Sequence, residues 1–182
     1  AQINPHFLFN TLNTLYGLVI TKSDLTESAF VKFSNILKYM YDNTSIEKID
    51  INNEIEYIRQ YVELQKLRLN HHTKVIFESR TDEELVLIPP MILITFVENA
   101  FKYGTSSSED CTILIRIIVE DGVLLFKTRN SIMKEKKEGE SSIGIENCRK
   151  RLQLLYPGLF TLITDNNKQE FLTKLTIQLS RT

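Results

Sequence analysis

Apolar residues recur at helical spacing in the first part of the chain and at strand spacing in the last part. Residues 2–22, 24–42 and 51–69 each carry apolar side chains three and four positions apart, which predicts three amphipathic helices. From residue 73 onward, short apolar runs are separated by turn residues, which indicates strands in hairpins with helices between them. The pattern therefore predicts an α+β fold, in which a helical module precedes a mixed sheet with helices on one face.

The first predicted helix has two different faces. Its apolar stripe consists of Leu8, Leu12, Leu15 and Val19. Its opposite face consists of Gln2, His6, Asn10 and Asn13, which fall within roughly 80° of each other around the helix axis. Amide side chains can orient an imidazole without charging it, so His6 is a candidate reactive group. The alternative is an ordinary surface histidine.

The second predicted helix pairs with the first. Its seam is formed by Ala29, Phe33, Ile36 or Leu37, and Met40. The link at residues 22–26 is short, which predicts an antiparallel hairpin. A lone amphipathic hairpin leaves apolar surface exposed, and two hairpins bury it by forming a four-helix bundle. We therefore expect a homodimer.

The third predicted helix is interpreted as a connector. Its apolar face holds Ile55, Ile58 and Val62, and we expect its charged residues to lie elsewhere on the helix surface: Glu54, Glu56, Arg59 and Glu63.

The remaining pattern predicts five strands. These are residues 75–79, 112–119, 123–128, 160–164 and 171–179. Asp121 and Gly122 form the dipeptide typical of a two-residue hairpin turn, and residues 165–167 supply a second turn.

Residues 88–104 predict one further buried helix, with Pro90 at its first position and Gly104 at its end. Glu98, Asn99 and Lys102 form a polar cluster near the C-terminal end of this helix. Burying such a cluster costs free energy unless it reaches solvent or contacts a ligand.

The net charge, the cysteine spacing and the length of the apolar runs disfavour several classes of function. The 182 residues carry a net charge of -1, so no basic surface for nucleic acid is indicated. Cys111 and Cys148 show no Cys-x-x-Cys spacing, which favours structural thiols over a zinc site or a disulfide framework. No apolar run approaches the ~20 residues that span a bilayer. The chain starts at Ala1 inside a helical pattern, so we expect a fragment of a longer protein.

Four segments carry a resemblance to a known family. Residues 98–104 (ENAFKYG) resemble the N box of the histidine-kinase and gyrase ATP-binding fold. Residues 2–13 (QINPHFLFNTLN) are similar to the signature of LytS-type sensor histidine kinases. Residues 61–68 (YVELQKLR) and 141–147 (SSIGIEN) resemble the connector and the G box of the same kinases.

The resemblance implies roles for the matching residues. In such kinases His6 would accept the phosphoryl group, with Asn10 positioning the reacting group. In the ATP-binding part, Asn99 would ligate Mg²⁺ carried by ATP. The further nucleotide contacts implied are Lys102, Tyr103, which stands where the family commonly has histidine, Asn130 as the adenine acceptor, and the G-box residues Gly144, Ile145 and Asn147. Residues 134–140 correspond to the ATP lid.

Departures from the family pattern keep alternatives open. Asn130 and Ser142 replace an aspartate and a glycine of the family, which weakens the adenine contact and restricts the backbone. A pseudokinase dimer that binds its regulator without ATP turnover is therefore the alternative to an active autokinase. A gyrase-like ATPase is disfavoured, because Thr95 stands where those enzymes carry their general-base glutamate.

The resemblance covers essentially the whole chain. It implies a dimerisation and phosphoacceptor module at residues 1–70 and an ATP-binding domain at residues 71–182. The implied partner is a response regulator, of the LytTR type. The implied location is the cytoplasmic side of a parent protein anchored in the cytoplasmic membrane through segments outside this sequence.

Overall fold

Helices form the first third of the chain, and strands dominate the rest. The computed structural model describes residues 5–82, 85–133 and 140–179, without the side chains of 140–143. The helices are α1 (Pro5–Ile20), α2 (Thr26–Asp42), α3 (Ile51–Lys66), α4 (Ile94–Gly104) and α5 (Glu140–Leu155). The strands are β1 (Ile49–Asp50), β2 (Thr73–Thr81), β3 (Leu87–Ile88), β4 (Cys111–Glu120), β5 (Val123–Ser131), β6 (Phe160–Asn166) and β7 (Glu170–Gln178).

The main sheet is mixed, as the sequence predicts. Its strand order is β2-β4-β5-β7-β6; β2 and β4 run parallel, and the other neighbours are antiparallel. Between β4 and β5, Asp121 and Gly122 both have positive φ, at 52° and 72°. Two positive φ values match the twist of a tight hairpin, so the predicted turn is confirmed. Four of the five strands run a little longer than predicted, while β7 has the predicted length and begins one residue earlier.

One cluster of buried apolar side chains joins the helical part to the sheet. It includes Phe7 of α1, Ile36 of α2, Ile58 of α3, Phe96 of α4 and Phe126 of β5. Helix α4 packs on β4 and β5, while α3 contacts α2, α4 and β2. Helix α3 is thus the element that both parts of the chain share, and the division near residue 70 stays a prediction.

The seam of α2 is confirmed, whereas the predicted stripe of α1 is wrong in part. Ala29, Phe33, Ile36 and Met40 are buried. On α1 the buried residues are Phe7, Thr11 and Leu15, while Leu12 and Val19 remain 44% and 49% exposed. The reason is that α1 is apolar on two sides, and within one chain only one of them faces α2 and α3.

The helix predicted from residue 88 begins later. Leu87 and Ile88 form β3, which pairs with β1, and α4 begins at Ile94. Pro90 therefore lies outside the helix, and Met91 adopts a left-handed φ of 62°. Helix α3 likewise ends at Lys66 rather than near residue 69.

Some sequence-based expectations fall outside the described residues. They concern Gln2, the lid at residues 134–139 and the side chain of Ser142. Among the helices of the described residues, none is both long and apolar enough to cross a membrane.

Candidate functional site

His6 lies exposed in the first turns of α1, beside Asn10. The amide nitrogen Nδ2 of Asn10 lies 3.2 Å from Nδ1 and 3.3 Å from Nε2 of the imidazole. Four-residue spacing on a helix brings two side chains together, so this contact follows directly from the sequence. The arrangement holds an accessible imidazole against an amide.

Two aromatic contacts connect the turn that carries His6 to α4. The ring of Phe7 is buried, and its centroid lies 4.9 Å from that of Tyr61 on α3. The centroid of Tyr61 lies 5.9 Å from that of Phe101 on α4, in an edge-to-face arrangement. Such pairs contribute beyond their buried area and have defined geometry. The structure thereby brings α1 and α4 against the same residue of α3.

Helix α4 holds the predicted magnesium and phosphate residues. Asn99 is partly buried, and within the described residues its Nδ2 is buried without a hydrogen-bond partner. Lys102 is exposed, with its ammonium 5.1 Å from the centre of the Tyr103 ring. Tyr103 itself is buried, and its carbonyl oxygen accepts a hydrogen bond of 2.9 Å from the amide of Met133.

Glu98 lies close enough to α3 to act on two of its tyrosines. Burial raises the pKa of Tyr57 and of Tyr61, and the nearby charge of Glu98 raises both further. Because its charge raises the pKa of both tyrosines, the carboxylate of Glu98 lies on the side of α4 that is near α3.

Asn130 lies at the C-terminal end of α4, buried within β5. Its side chain is 2% exposed, and its Nδ2 donates a 2.9 Å hydrogen bond to the carbonyl oxygen of Ser131. A Cβ added to Gly104 would lie 2.7 Å from the Cβ of Asn130, so only glycine allows this approach. The close contact places the predicted adenine acceptor beside the end of α4.

The G-box residues lie inside α5, so Gly144 does not begin this helix. Helix α5 already includes Glu140, four residues before Gly144. A Cβ at Gly144 would lie 3.6 Å from Cγ2 of Thr95, so this turn of α5 faces the start of α4. Ile145 is buried and Asn147 is exposed. Because Thr95 and Asn99 are one turn apart, Gly144 lies toward the side of α4 that carries Asn99.

The donor set fits a magnesium ion carried by a nucleotide. Mg²⁺ prefers oxygen ligands and keeps few protein ligands, often one or two, together with phosphate oxygens. The amide of Asn99 presents a buried and unsatisfied end, and the nitrogen and oxygen of such an amide exchange by a simple flip. Asn99 can therefore supply one oxygen ligand without losing a hydrogen bond among the described residues.

Sequence reasoning missed Glu54. Glu54 was expected away from the apolar face of α3, yet it is fully buried. Its position three and four residues before Tyr57 and Ile58, both buried, was the available signal. The contacts of Glu54 link α2 to the start of α4.

Comparisons with known proteins find similarity to histidine kinases. The family model described as histidine kinase matches residues 1–73. Sensor protein kinase HptS of Staphylococcus aureus is 34% identical over 116 residues, which are 64% of this chain and 22% of that protein. The chain thus spans about a fifth of the length of the curated relatives it matches.

Solved structures show the same fold. The histidine kinase domain of the Erythrobacter litoralis EL346 blue-light activated kinase matches with a TM-score of 0.56 at 12% identity, over 96% of both chains. Acinetobacter baumannii histidine kinase AdeS matches with a TM-score of 0.51 at 11% identity, over 96% of both chains. Full-length ShkA, solved in complex with AMPPNP, gives a TM-score of 0.53 at 14% identity over 87% of this chain and 38% of that one. The predicted fold class is confirmed: an α+β structure of the histidine-kinase type.

Proposed function

We propose that this chain is the catalytic region of a sensor histidine kinase of the LytS type, which autophosphorylates on His6 with ATP. The observation that carries the proposal is the position of His6. It is exposed on α1, oriented by Asn10, and its neighbour Phe7 packs on Tyr61, which also contacts α4. The match of residues 1–73 to the histidine kinase family and the fold support the same reading.

The chemistry is transfer of the γ-phosphoryl group from ATP to a ring nitrogen of His6. The unprotonated nitrogen forms a bond to the γ-phosphorus, the bond from that phosphorus to the bridging oxygen breaks, and ADP leaves. The imidazole proton is released to solvent, to which His6 is open. Asn10 holds the ring, so one nitrogen can be directed at the phosphorus.

The nucleotide is assigned to the side of α4 that carries Asn99. Asn99 would hold Mg²⁺, which neutralises phosphate charge when bound. Lys102 is exposed and can reach phosphate oxygens. By resemblance, Asn130 is assigned to the adenine, and Tyr103 is assigned as a further nucleotide contact. Gly144, Ile145 and Asn147 are assigned to the opposite wall, because Gly144 faces Thr95. The solved complex of ShkA with AMPPNP is consistent with nucleotide binding by this fold.

A homodimer follows from the second apolar side of α1. The exposed apolar side chains of α1 include Phe9, Leu12, Tyr16, Val19 and Ile20. Their spacing of three and four residues forms one stripe along the helix. On α2, Phe30 and Val31 are also 45% and 54% exposed. We assign this stripe to a four-helix bundle made with a second copy of the hairpin.

The reaction suits a relay, since phosphohistidine is a reactive phosphoryl donor. We propose that the acceptor is an aspartate of a response regulator, of the LytTR type by resemblance. We also propose that the chain acts on the cytoplasmic side of a membrane protein whose anchor lies outside this sequence. The similarity to sensor protein kinase HptS supports the sensor-kinase part of this proposal.

The test is titration of the chain with a fluorescent ATP analogue, with Mg²⁺ and then with excess chelator. Saturable binding that weakens when Mg²⁺ is removed is expected. A folded dimer that binds no nucleotide under either condition would contradict the proposal and favour the pseudokinase alternative.

A further inference from the structure

Glu54 is a fully buried acid on α3 with three hydrogen-bond donors around it. Tyr39 of α2 donates its hydroxyl to Oε2. The amide of Met91 donates to the same oxygen at 3.0 Å, and the amide of Leu93 donates to Oε1 at 3.4 Å. An isolated buried carboxyl is costly, so the site is stable only while these donors stay in place. Burial raises the pKa of Glu54, and the three hydrogen bonds partly offset that effect.

Two of the donors belong to the segment that leads into α4. Met91 has a left-handed φ of 62°, a conformation that costs a residue other than glycine about 1 kcal/mol or more. Leu93 occupies the N-cap of α4 and has no polar side chain to cap the helix. The carboxyl of Glu54 therefore accepts the N–H of the N-cap residue from another helix, as a Glu at the third helical position does in a capping box. It fixes where α4 begins.

The third donor connects the same carboxyl to α2. The ring of Tyr39 stacks on that of Tyr57, with centroids 4.3 Å apart and planes 15° from parallel. Its hydroxyl then reaches Glu54, one turn before Tyr57 on α3. A displacement of α2 must carry the carboxyl with it or break this bond. In either case, the hydrogen bonds that the amides of Met91 and Leu93 donate to this carboxyl change.

We propose that Glu54 is a positioning residue for the nucleotide site, and that its bond to Tyr39 transmits the position of α2 to α4. We call the carboxyl of Glu54 and its three hydrogen-bond donors the joint. This inference rests on the proposed function, because the joint would orient Asn99 and Lys102 of α4. The joint lets the phosphoacceptor hairpin set the geometry of the nucleotide site through a buried contact. Glu54 touches neither ATP nor His6 and acts only through α4.

The experiment compares two variants of the joint with two matched controls in the full chain. Tyr39→Phe removes only the donor hydroxyl, and Tyr41→Phe makes the same change at an 80% exposed residue of the same helix. Glu54→Gln alters the buried acid, and Glu56→Gln alters an exposed one two residues away. Amide hydrogen exchange is followed over residues 90–97 and over β4 and β5, and affinity for a fluorescent ATP analogue with Mg²⁺ is measured in parallel.

Exchange over residues 90–97 is expected to rise about fivefold in Tyr39→Phe and more in Glu54→Gln, which corresponds to one hydrogen bond. Exchange in β4 and β5 should stay as in the wild type, and nucleotide affinity should fall by a similar factor. The controls should change neither quantity. Tyr39→Phe keeps the result decisive if Glu54→Gln does not fold.

Three results would overturn the inference: unchanged exchange over residues 90–97, an equal rise across the whole sheet, or a local rise with unchanged nucleotide affinity. Absence of nucleotide binding in the wild type would instead overturn the proposed function. In that case the exchange data alone would still decide whether α2 and α4 are joined through Glu54.

Discussion

Phe7 packs against Tyr61 with their ring centroids 4.9 Å apart, so the residue next to His6 is held by the connector helix α3. Tyr61 also contacts Phe101 of α4. The turn of α1 that carries His6 and the helix that carries Asn99 therefore contact one aromatic side chain. This relationship makes α3 more than a spacer between two parts of the chain.

Phe7→Ala is expected to lower the free energy of unfolding by about 3 kcal/mol, because it leaves a cavity against Tyr61. The matched control is Leu154→Ala on α5, where the side chain is 82% exposed and the expected change is within about 0.5 kcal/mol. Urea unfolding of both variants, at one protein concentration, measures the difference. Equal losses would mean that Phe7 is not packed as described.

Gly104→Ala is expected to destabilise the chain by about 1 to 3 kcal/mol, because the new methyl group overlaps Asn130. Asn130 would have to shift, so affinity for an ATP analogue should also fall. The control is Gly17→Ala in α1, where no heavy atom lies within 4 Å of the added Cβ. There alanine should stabilise the helix by up to about 1 kcal/mol. Thermal unfolding with and without nucleotide tests both expectations, and a neutral Gly104→Ala would contradict the close contact.

Val19→Glu is expected to convert a homodimer into a monomer, because it puts a charge into the exposed apolar stripe of α1. Leu154→Glu makes the same kind of change at an 82% exposed residue of α5 and should leave the dimer intact. Light scattering after size exclusion gives the mass directly. A wild-type monomer, or a dimer that survives Val19→Glu unchanged, would argue against this bundle.

Asn99→Ala is expected to weaken Mg²⁺-dependent nucleotide affinity by about tenfold or more, which corresponds to one charge-assisted contact. Asn53→Ala removes an exposed amide of α3 and serves as the control. Fluorescence titration with and without Mg²⁺ separates the metal-dependent part. If Asn99→Ala binds the analogue as tightly as Asn53→Ala does, the magnesium assignment is wrong.

Local features of the fold were predictable because local chemistry decides them. The Asp121-Gly122 turn needs positive φ at both residues, and the seam of α2 follows from helical spacing. The contact between His6 and Asn10 likewise needs only a helix. Contacts with distant segments of the chain do not determine these features.

Other features depend on contacts between distant segments. The start of α4 is set by the pairing of β3 with β1 and by Glu54, which lies 37 residues before Met91. The stripe of α1 was ambiguous because Leu12 and Leu15 are both apolar and spacing cannot say which neighbour each one meets. The place of Gly144 inside α5 depends on how far the helix extends, which the glycine itself does not reveal.

The central claim is that His6 receives the γ-phosphoryl group of ATP. The most direct measurement incubates the chain with γ-labelled ATP and Mg²⁺ beside His6→Gln, with His71→Gln as a control at another exposed histidine. Acid-labile label is expected on the wild type and on His71→Gln, and none is expected on His6→Gln. Label that persists on His6→Gln, or a nucleotide-binding dimer that takes up no label, would contradict it.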